Sequence, residues 1–168
     1  MEKITIVING VGGCGKDSLI AALEGTFKVH NKSSVDPVKA VARQCGWQGD
    51  KSDKSRKFLS DLKRLMTEYN EYPLKFLLAE QQVFLNGDYD IMFVHIREPR
   101  EIEKFLNHSV TKTLTLLITP REELKNKVYG NASDDEVYNY DYDLVFCNNK
   151  PLEQICPQFI EFIKNNIK

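Results

Sequence analysis

Four glycines and a lysine lie close together near the start of the chain, in the order Gly-Val-Gly-Gly-Cys-Gly-Lys from residue 10 to residue 16. Glycine lets a backbone bend sharply and turn its N–H groups inward, where they can bind phosphate oxygens. Lys16 would then reach the β- and γ-phosphates of a nucleoside triphosphate. The pattern predicts a phosphate-binding loop whose ligand-binding residues are Gly10, Gly12, Gly13, Cys14, Gly15, Lys16, Asp17 and Ser18.

The residue after the lysine departs from the usual pattern. A Ser or Thr hydroxyl normally binds Mg²⁺ at this point, and this chain has Asp17. A carboxylate is a charged oxygen ligand, so it can hold Mg²⁺ directly or through water. The sequence therefore predicts ATP and Mg²⁺ as cofactors, with Asp17 as the metal ligand.

The elements around the loop alternate between strand and helix. Short apolar runs predict five strands, at residues 4–8, 27–35, 91–96, 114–119 and 144–147. Helical spacing predicts a pair of helices between strands two and three, at 54–70 and 74–85, and a last helix at 152–167. Alternation of this kind implies a parallel sheet covered on both faces. The predicted fold is a three-layer α/β/α sandwich with a five-stranded parallel sheet, in one domain spanning 1–168 with a helical acceptor-binding insertion at 37–86.

Polar residues follow the predicted strands, where ligands bind in such sheets. Arg97, after strand three, is suited to bidentate binding of an acceptor phosphate, or else to a salt bridge with Glu98 or Glu101. Arg121 begins a short lid-like segment at 121–136 and would neutralise charge on the transferring phosphoryl group. Lys16, Arg97 and Arg121 are therefore the predicted catalytic residues.

Further candidates come from strand two, the helix pair and strand five. Asp36 and Lys39 are predicted to bind the acceptor, although Asp36 could simply cap a helix. Arg56, and after it Arg64, could hold the acceptor's phosphate, whereas most charges at 51–64 are expected to form a solvated helix face. Asn148 could meet the nucleobase or belong to an ordinary turn.

Composition limits the possible partners. The 23 basic and 24 acidic residues leave a net charge of −1, which predicts no binding to nucleic acid or to a membrane surface. There is no apolar run long enough for a membrane span, and no secretory leader is recognised. The four cysteines are scattered, which suits a reducing compartment. We therefore expect a cytoplasmic monomer or homodimer that binds a nucleoside triphosphate donor and a small phosphorylated acceptor.

The chain resembles the deoxynucleoside monophosphate kinases of phage and bacteria, within the wider nucleoside monophosphate kinase fold of P-loop NTPases. The resemblance lies in three segments: Gly15-Lys16-Asp17, Asp36-Pro37-Val38-Lys39, and Arg97 with Glu101 four residues later. It implies transfer of the ATP γ-phosphoryl group to a nucleoside monophosphate with Mg²⁺. His95 stands where the group has an acid before the strand-three arginine, and the segment after Arg121 is short.

Other functions are compatible with the same loop. A kinase of a non-nucleotide acceptor such as phosphomevalonate would use it in the same way, because the animal-type phosphomevalonate kinases have a similar Gly-Lys-Asp loop. A regulatory or NTP-hydrolysing P-loop protein would need no acceptor site, and a partner-binding protein could keep the loop without chemistry. The order Asn148-Asn149-Lys150-Pro151 does not supply the guanine-specifying Asn-Lys-x-Asp of GTPases.

Overall fold

The computed structural model describes residues 2–120 and 136–167. The strands in chain order are β1 Ile4–Asn9, β2 Val29–Ser33, β3 Ile91–His95, β4 Lys112–Thr119 and β5 Leu144–Cys147. The helices of the described residues are α1 Lys16–Leu23, α2 Asp36–Gln44, α3 Asp53–Asn70, α4 Tyr72–Asn86, α5 Pro99–His108 and α6 Leu152–Asn166. Of the lid-like segment predicted at 121–136, residues 121–135 lie outside the described residues.

The five strands form one parallel sheet in the order β2-β3-β1-β4-β5. The central strand is β1, in which Ile8 lies opposite His95 of β3 and Leu116 of β4. At the edge, Ser33 of β2 also lies opposite His95. The carboxyl ends of these strands therefore meet on one side of the sheet, where the segments after β1, β2 and β3 can contact one another.

The sheet is covered on both faces, which confirms the predicted three-layer α/β/α sandwich. Alternate residues of β1 point to opposite faces, so Ile6 packs in a core with α1 and α6, and Val7 packs in a second core with α4 and α5. In β3, Phe93 belongs to the first core and Val94 to the second. Burial on both faces explains why these strands read as continuous apolar runs and not as alternating patterns.

The helix pair between β2 and β3 is present, with a tight reversal between its helices. Glu71, the single residue between α3 and α4, has a left-handed conformation with φ 55°. Pro73 lies in the first turn of α4. A backbone N–H there would have no acceptor within the helix, so its absence in proline costs no helical hydrogen bond. None of the helices that the structure describes is long and apolar enough to cross a membrane.

Candidate active site

The six residues 10–15 link the end of β1 to the start of α1, and their backbone requires glycine at two points. Gly10 has φ 149°, and a Cβ there would lie 2.6 Å from the carbonyl oxygen of Ile118. Gly15 has φ 90°, and a Cβ there would lie 2.5 Å from Nδ2 of Asn148. A side chain at either position would therefore be strained and would also collide with a neighbouring segment.

Lys16 is held against this loop. Its Nζ donates to the carbonyl oxygen of Gly10 at 2.5 Å and to that of Val11 at 3.2 Å, and it lies 3.4 Å from Sγ of Cys14. Because α1 begins at Lys16, the first backbone N–H groups of this helix have no acceptor within the helix. An ammonium group and a helix N-terminus thus face the same region, which favours a bound anion.

His95, at the end of β3, lies within electrostatic reach of four predicted site residues. Burial, first of all, lowers the pKa of His95 to about 4; the charges of Asp17 and Asp36 oppose this shift, and those of Lys16 and Arg97 add to it. The imidazole is therefore neutral at pH 7. The sheet thus brings together predicted residues from the loop, from α2 and from the end of β3, which are far apart in the sequence.

His95 also contacts the neighbouring edge strand. Its Nε2 lies 2.9 Å from Oδ1 of Asn31, which can only accept a hydrogen bond, so Nε2 carries the proton. Nδ1 of the ring then has a lone pair.

Asp36 does not act as the N-cap residue of α2, which is Val35. Its Oδ2 accepts a hydrogen bond from the backbone N–H of Ser33, at 2.7 Å. The carboxylate thereby tightens the turn between β2 and α2. Lys39, one turn further along α2, is partly buried.

The contacts of α3 point to a cation other than the two predicted from sequence. Nζ of Lys63 lies 2.8 Å from Oε2 of Glu98 and 2.8 Å from Oε2 of Glu101, both near the start of α5. Arg64 is exposed and pairs with Glu68 on its own helix at 3.0 Å, and Arg56 is exposed near the helix start. Arg56 and Arg64 stay predictions as acceptor ligands, whereas Lys63 contacts the segment that follows Arg97.

Sequence reasoning placed Lys63 in the solvated face of α3. A signal for the partly buried position existed, since residue 63 lies four residues after Leu59 and three before Met66, on the apolar stripe of the helix. Burial lowers the pKa of Lys63, but the carboxylates of Glu98 and Glu101 more than offset this, so the pKa lies above its ordinary value. Burial, followed by the nearby Glu98, raises the pKa of Glu101.

Arg97 is exposed directly after β3. The alternative of a salt bridge with Glu98 or Glu101 has a competitor, because both carboxylates accept hydrogen bonds from Lys63. The Arg97 backbone is fixed by Asn9, whose Nδ2 donates to its carbonyl oxygen at 2.9 Å. Binding of an acceptor phosphate by Arg97 stays a prediction, as does the role of Arg121, which lies outside the described residues.

Two asparagine side chains hydrogen-bond to the backbone of the glycine loop. Asn9, which sequence reasoning did not single out, is 1% exposed and its Oδ1 accepts the N–H of Gly10 at 2.8 Å. Asn148, after β5, donates from Nδ2 to the carbonyl oxygen of Cys14 at 2.8 Å. Asn148 thus supports the loop backbone, and its contact with a nucleobase stays a prediction. The only signal for Asn9 is a polar residue at the end of an apolar strand.

A small, mostly apolar pocket lies beside the ends of β2 and β3. Its lining residues come from α3, α4, α5 and the two strand ends. The apolar ones are Pro73, Leu74, Leu77 and Ile96, and the polar ones are Ser34, Thr67, Glu71, Glu101 and Lys104. Since Ile96 directly precedes Arg97, and Ser34 lies two residues before Asp36, the pocket borders the predicted acceptor side.

Metal-ligating side chains are sparse in the part of the chain that the structure describes. Within residues 2–120 and 136–167, no group of three or more His, Cys, Asp or Glu side chains is placed to hold a metal ion. The assignment of Asp17 as a metal ligand stays a prediction.

Comparison with known proteins gives a similarity in structure only. No protein-family model matches the chain, and no curated protein matches it in sequence. It is similar to shikimate kinase from Aquifex aeolicus vf5, at 10% identity and a TM-score of 0.49, with 98% of this chain and 97% of that chain covered. It is also similar to a cysteine-to-alanine mutant of the APS kinase CysC from Mycobacterium tuberculosis, at 10% identity and a TM-score of 0.46, with 97% of this chain and 98% of that chain covered. The function of this chain has to be argued from its own residues.

Proposed function

We propose that this protein transfers the γ-phosphoryl group of ATP to a small phosphorylated acceptor, most specifically a ribo- or deoxyribonucleoside monophosphate. One observation carries the proposal: Ile8 of β1 and Ser33 of β2 both lie opposite His95 of β3, so the glycine loop after β1 begins beside the segments that carry Asp36 and Arg97. A donor site and an acceptor site that meet in this way are what phosphoryl transfer needs, because its catalysis is mainly positioning and charge neutralisation.

On the donor side, the glycine loop and the N-terminus of α1 would bind the phosphates. The ammonium group of Lys16 would exchange the carbonyl oxygens of Gly10 and Val11 for oxygens of the β- and γ-phosphates. Asp17 would hold Mg²⁺, directly or through water, and the hard oxygen of its carboxylate suits this ion. Bound Mg²⁺ supplies neutralisation of phosphate charge.

On the acceptor side, the pocket beside the ends of β2 and β3 would be one wall of the acceptor site. Its apolar side chains could pack against a flat or aliphatic group, and its polar ones could hydrogen-bond at the rim. Arg97, next to the pocket residue Ile96, would then bind the acceptor's phosphate through its guanidinium group. Arg121 would add a further cation near the transferring group.

The neutral state of His95 fits this chemistry. A base with a pKa of about 4 takes up protons weakly at pH 7, so His95 is a poor general base. As a neutral group, His95 would add no charge to the site beside Asp17. Proton removal is a minor requirement when the transition state is loose.

The proposal is tested by incubating the protein with Mg²⁺-ATP and each nucleoside monophosphate in turn, with phosphomevalonate as a further acceptor, while ADP formation is measured. Lys16→Ala should abolish turnover, and Arg97→Ala should raise the KM for the acceptor by about tenfold or more, with a small effect on the KM for ATP. Arg43→Ala, which changes an exposed arginine at the end of α2, is the matched control.

Turnover that depends on one nucleoside monophosphate and on Lys16 would establish the proposed activity. Turnover with phosphomevalonate alone would keep the reaction type and change the acceptor. ADP formation without any acceptor would instead indicate an NTP-hydrolysing protein, and equal activity of Lys16→Ala and wild type would refute the assigned donor site.

A further inference from the structure

Asn9 joins three segments that are distant in sequence. It is the last residue of β1 and is almost completely buried. Its Oδ1 accepts the N–H of Gly10, and its Nδ2 donates to the carbonyl oxygen of Arg97 at 2.9 Å and to the hydroxyl of Tyr142 at 2.8 Å. The side chain thus connects the first residue of the phosphate loop to the backbone of the predicted acceptor arginine.

Tyr142 continues the connection. Its hydroxyl donates to the carbonyl oxygen of Val137 at 2.8 Å, so it has a lone pair left to accept the hydrogen from Asn9. Burial raises the pKa of Tyr142 to about 12, against the opposing hydrogen bond from Asn9, so the hydroxyl stays protonated near neutral pH. The same segment is fixed to α5, since Tyr140 donates to Glu103 at 2.7 Å.

The donors and acceptors of this network have one consistent arrangement. The carbonyl oxygen of Arg97 can only accept, and the proton of the Tyr142 hydroxyl is already used, so both must receive hydrogens from Asn9. The N–H of Gly10 can only donate, so it must meet an oxygen. An amide satisfies all three requirements at once, and aspartate, which is nearly the same size, offers no hydrogens to the first two.

We propose that Asn9 is a positioning residue that sets the phosphate loop, through Gly10, against the backbone of Arg97 and the segment that precedes β5. This inference rests on the proposed function, for which the donor loop and the acceptor arginine must keep a fixed separation. Small displacements of reacting groups reduce catalytic rates steeply. Loss of the network should therefore lower the turnover rate strongly even where the folding stability falls only slightly.

A control residue on the same strand separates positioning from stability. Thr5 lies at the other end of β1 on the same face, is also fully buried, and hydrogen-bonds to Thr111 at 2.7 Å and Gln81 at 3.0 Å. Thr5→Val removes a buried hydroxyl, and Tyr142→Phe removes one on a partly buried side chain. Both should therefore lower thermal stability, while only Tyr142→Phe changes the surroundings of Asn9.

The test measures thermal stability, Mg²⁺-ATP affinity, steady-state kinetics and amide hydrogen exchange at Gly10 for wild type, Asn9→Asp, Tyr142→Phe and Thr5→Val. We expect Tyr142→Phe, and more strongly Asn9→Asp, to accelerate exchange at Gly10 by about tenfold and to lower kcat by at least about tenfold. Thr5→Val should change neither at a temperature where all variants are folded.

Exchange at Gly10 that is equal in Tyr142→Phe and Thr5→Val would overturn the inference, even if Asn9→Asp fails to fold. Wild-type protein that binds no ATP and phosphorylates no acceptor would refute the proposed function. The exchange measurement would then still decide whether Asn9 and Tyr142 position the loop, so the two failures are distinguishable.

Discussion

The neutral imidazole of His95 lies among the charged groups of the candidate site. His95 lies at the end of β3, partly buried, with its Nε2 against Asn31 and with the charges of Asp17 and Arg97 nearby. Burial outweighs the two nearby carboxylates and depresses its pKa to about 4. The unfolded chain has no such environment, so its histidine titrates at the ordinary value near 6.5.

This difference predicts a pH dependence of stability. A histidine whose pKa falls on folding is protonated more readily in the unfolded chain, so its contribution to stability is lost as the pH falls from about 6.5 toward 4. At pH 5 the loss is about 2 kcal/mol, or roughly 4–8 °C in Tm for a chain of this size. His95→Gln should remove that part of the decline between pH 7.5 and pH 5, measured by thermal unfolding in metal-free buffer.

The exposed His108, on α5, provides the matched variant for this measurement. His108→Gln should leave the wild-type decline largely in place. An equally steep decline in His95→Gln and wild type would contradict the assignment of this acid sensitivity to His95.

At the scale of elements, α3 buries little of its own surface, and the ammonium group of Lys63 links it to α5. None of its 18 residues is fully buried. Lys63 reaches across to Glu98 and Glu101 at the start of α5, next to the segment that carries Arg97. The helix pair and the end of β3 are thereby linked on the predicted acceptor side.

Replacing Lys63 tests this link. Lys63→Met keeps an unbranched side chain one atom shorter but leaves two neighbouring carboxylates without their shared cation, so we expect a loss of about 1–2 kcal/mol in the free energy of unfolding. Lys57→Met removes an exposed pair with Asp61 on the same helix and should cost much less, because water screens exposed ion pairs. Denaturant unfolding measures both, and equal losses would contradict the link between α3 and α5.

At the scale of the whole molecule, one sheet separates two cores. Ile20 of α1 is buried in the first core and Ile102 of α5 in the second, and both pack on strands of the same sheet. Because β1 and β3 contribute side chains to both cores, neither core can lose its packing surface without disturbing the other. The two cores should therefore unfold together.

Ile20→Val and Ile102→Val should each lower the free energy of unfolding by about 1 kcal/mol. Since the sheet lies between the two sites, the double variant should lose the sum of the two values within about 0.5 kcal/mol. Denaturant unfolding followed by circular dichroism and by Trp47 fluorescence should give one shared transition in all three variants. Separate transitions for the two signals would contradict unfolding of the domain as one cooperative unit.

Most elements of this fold could be predicted because their signals are local. The strand predicted at 4–8, directly before the glycines, formed at Ile4–Asn9. Boundaries were less accurate: β2 begins at Val29 and not at residue 27, and β4 begins at Lys112 and not at residue 114. A strand ends where its partner stops pairing, and that partner is not adjacent in the sequence.

By itself, the sequence determined the glycine-rich turn after β1, the alternation of strands and helices and the residues that follow each strand, because each depends on neighbours within a few positions. Only the tertiary structure decided that β3 lies between β1 and β2, that Lys63 pairs with Glu98 and Glu101, and that Asn9 contacts both Arg97 and Tyr142. These contacts join residues 35 to 133 positions apart. Such pairings follow from how the layers pack around the sheet, which no local pattern encodes.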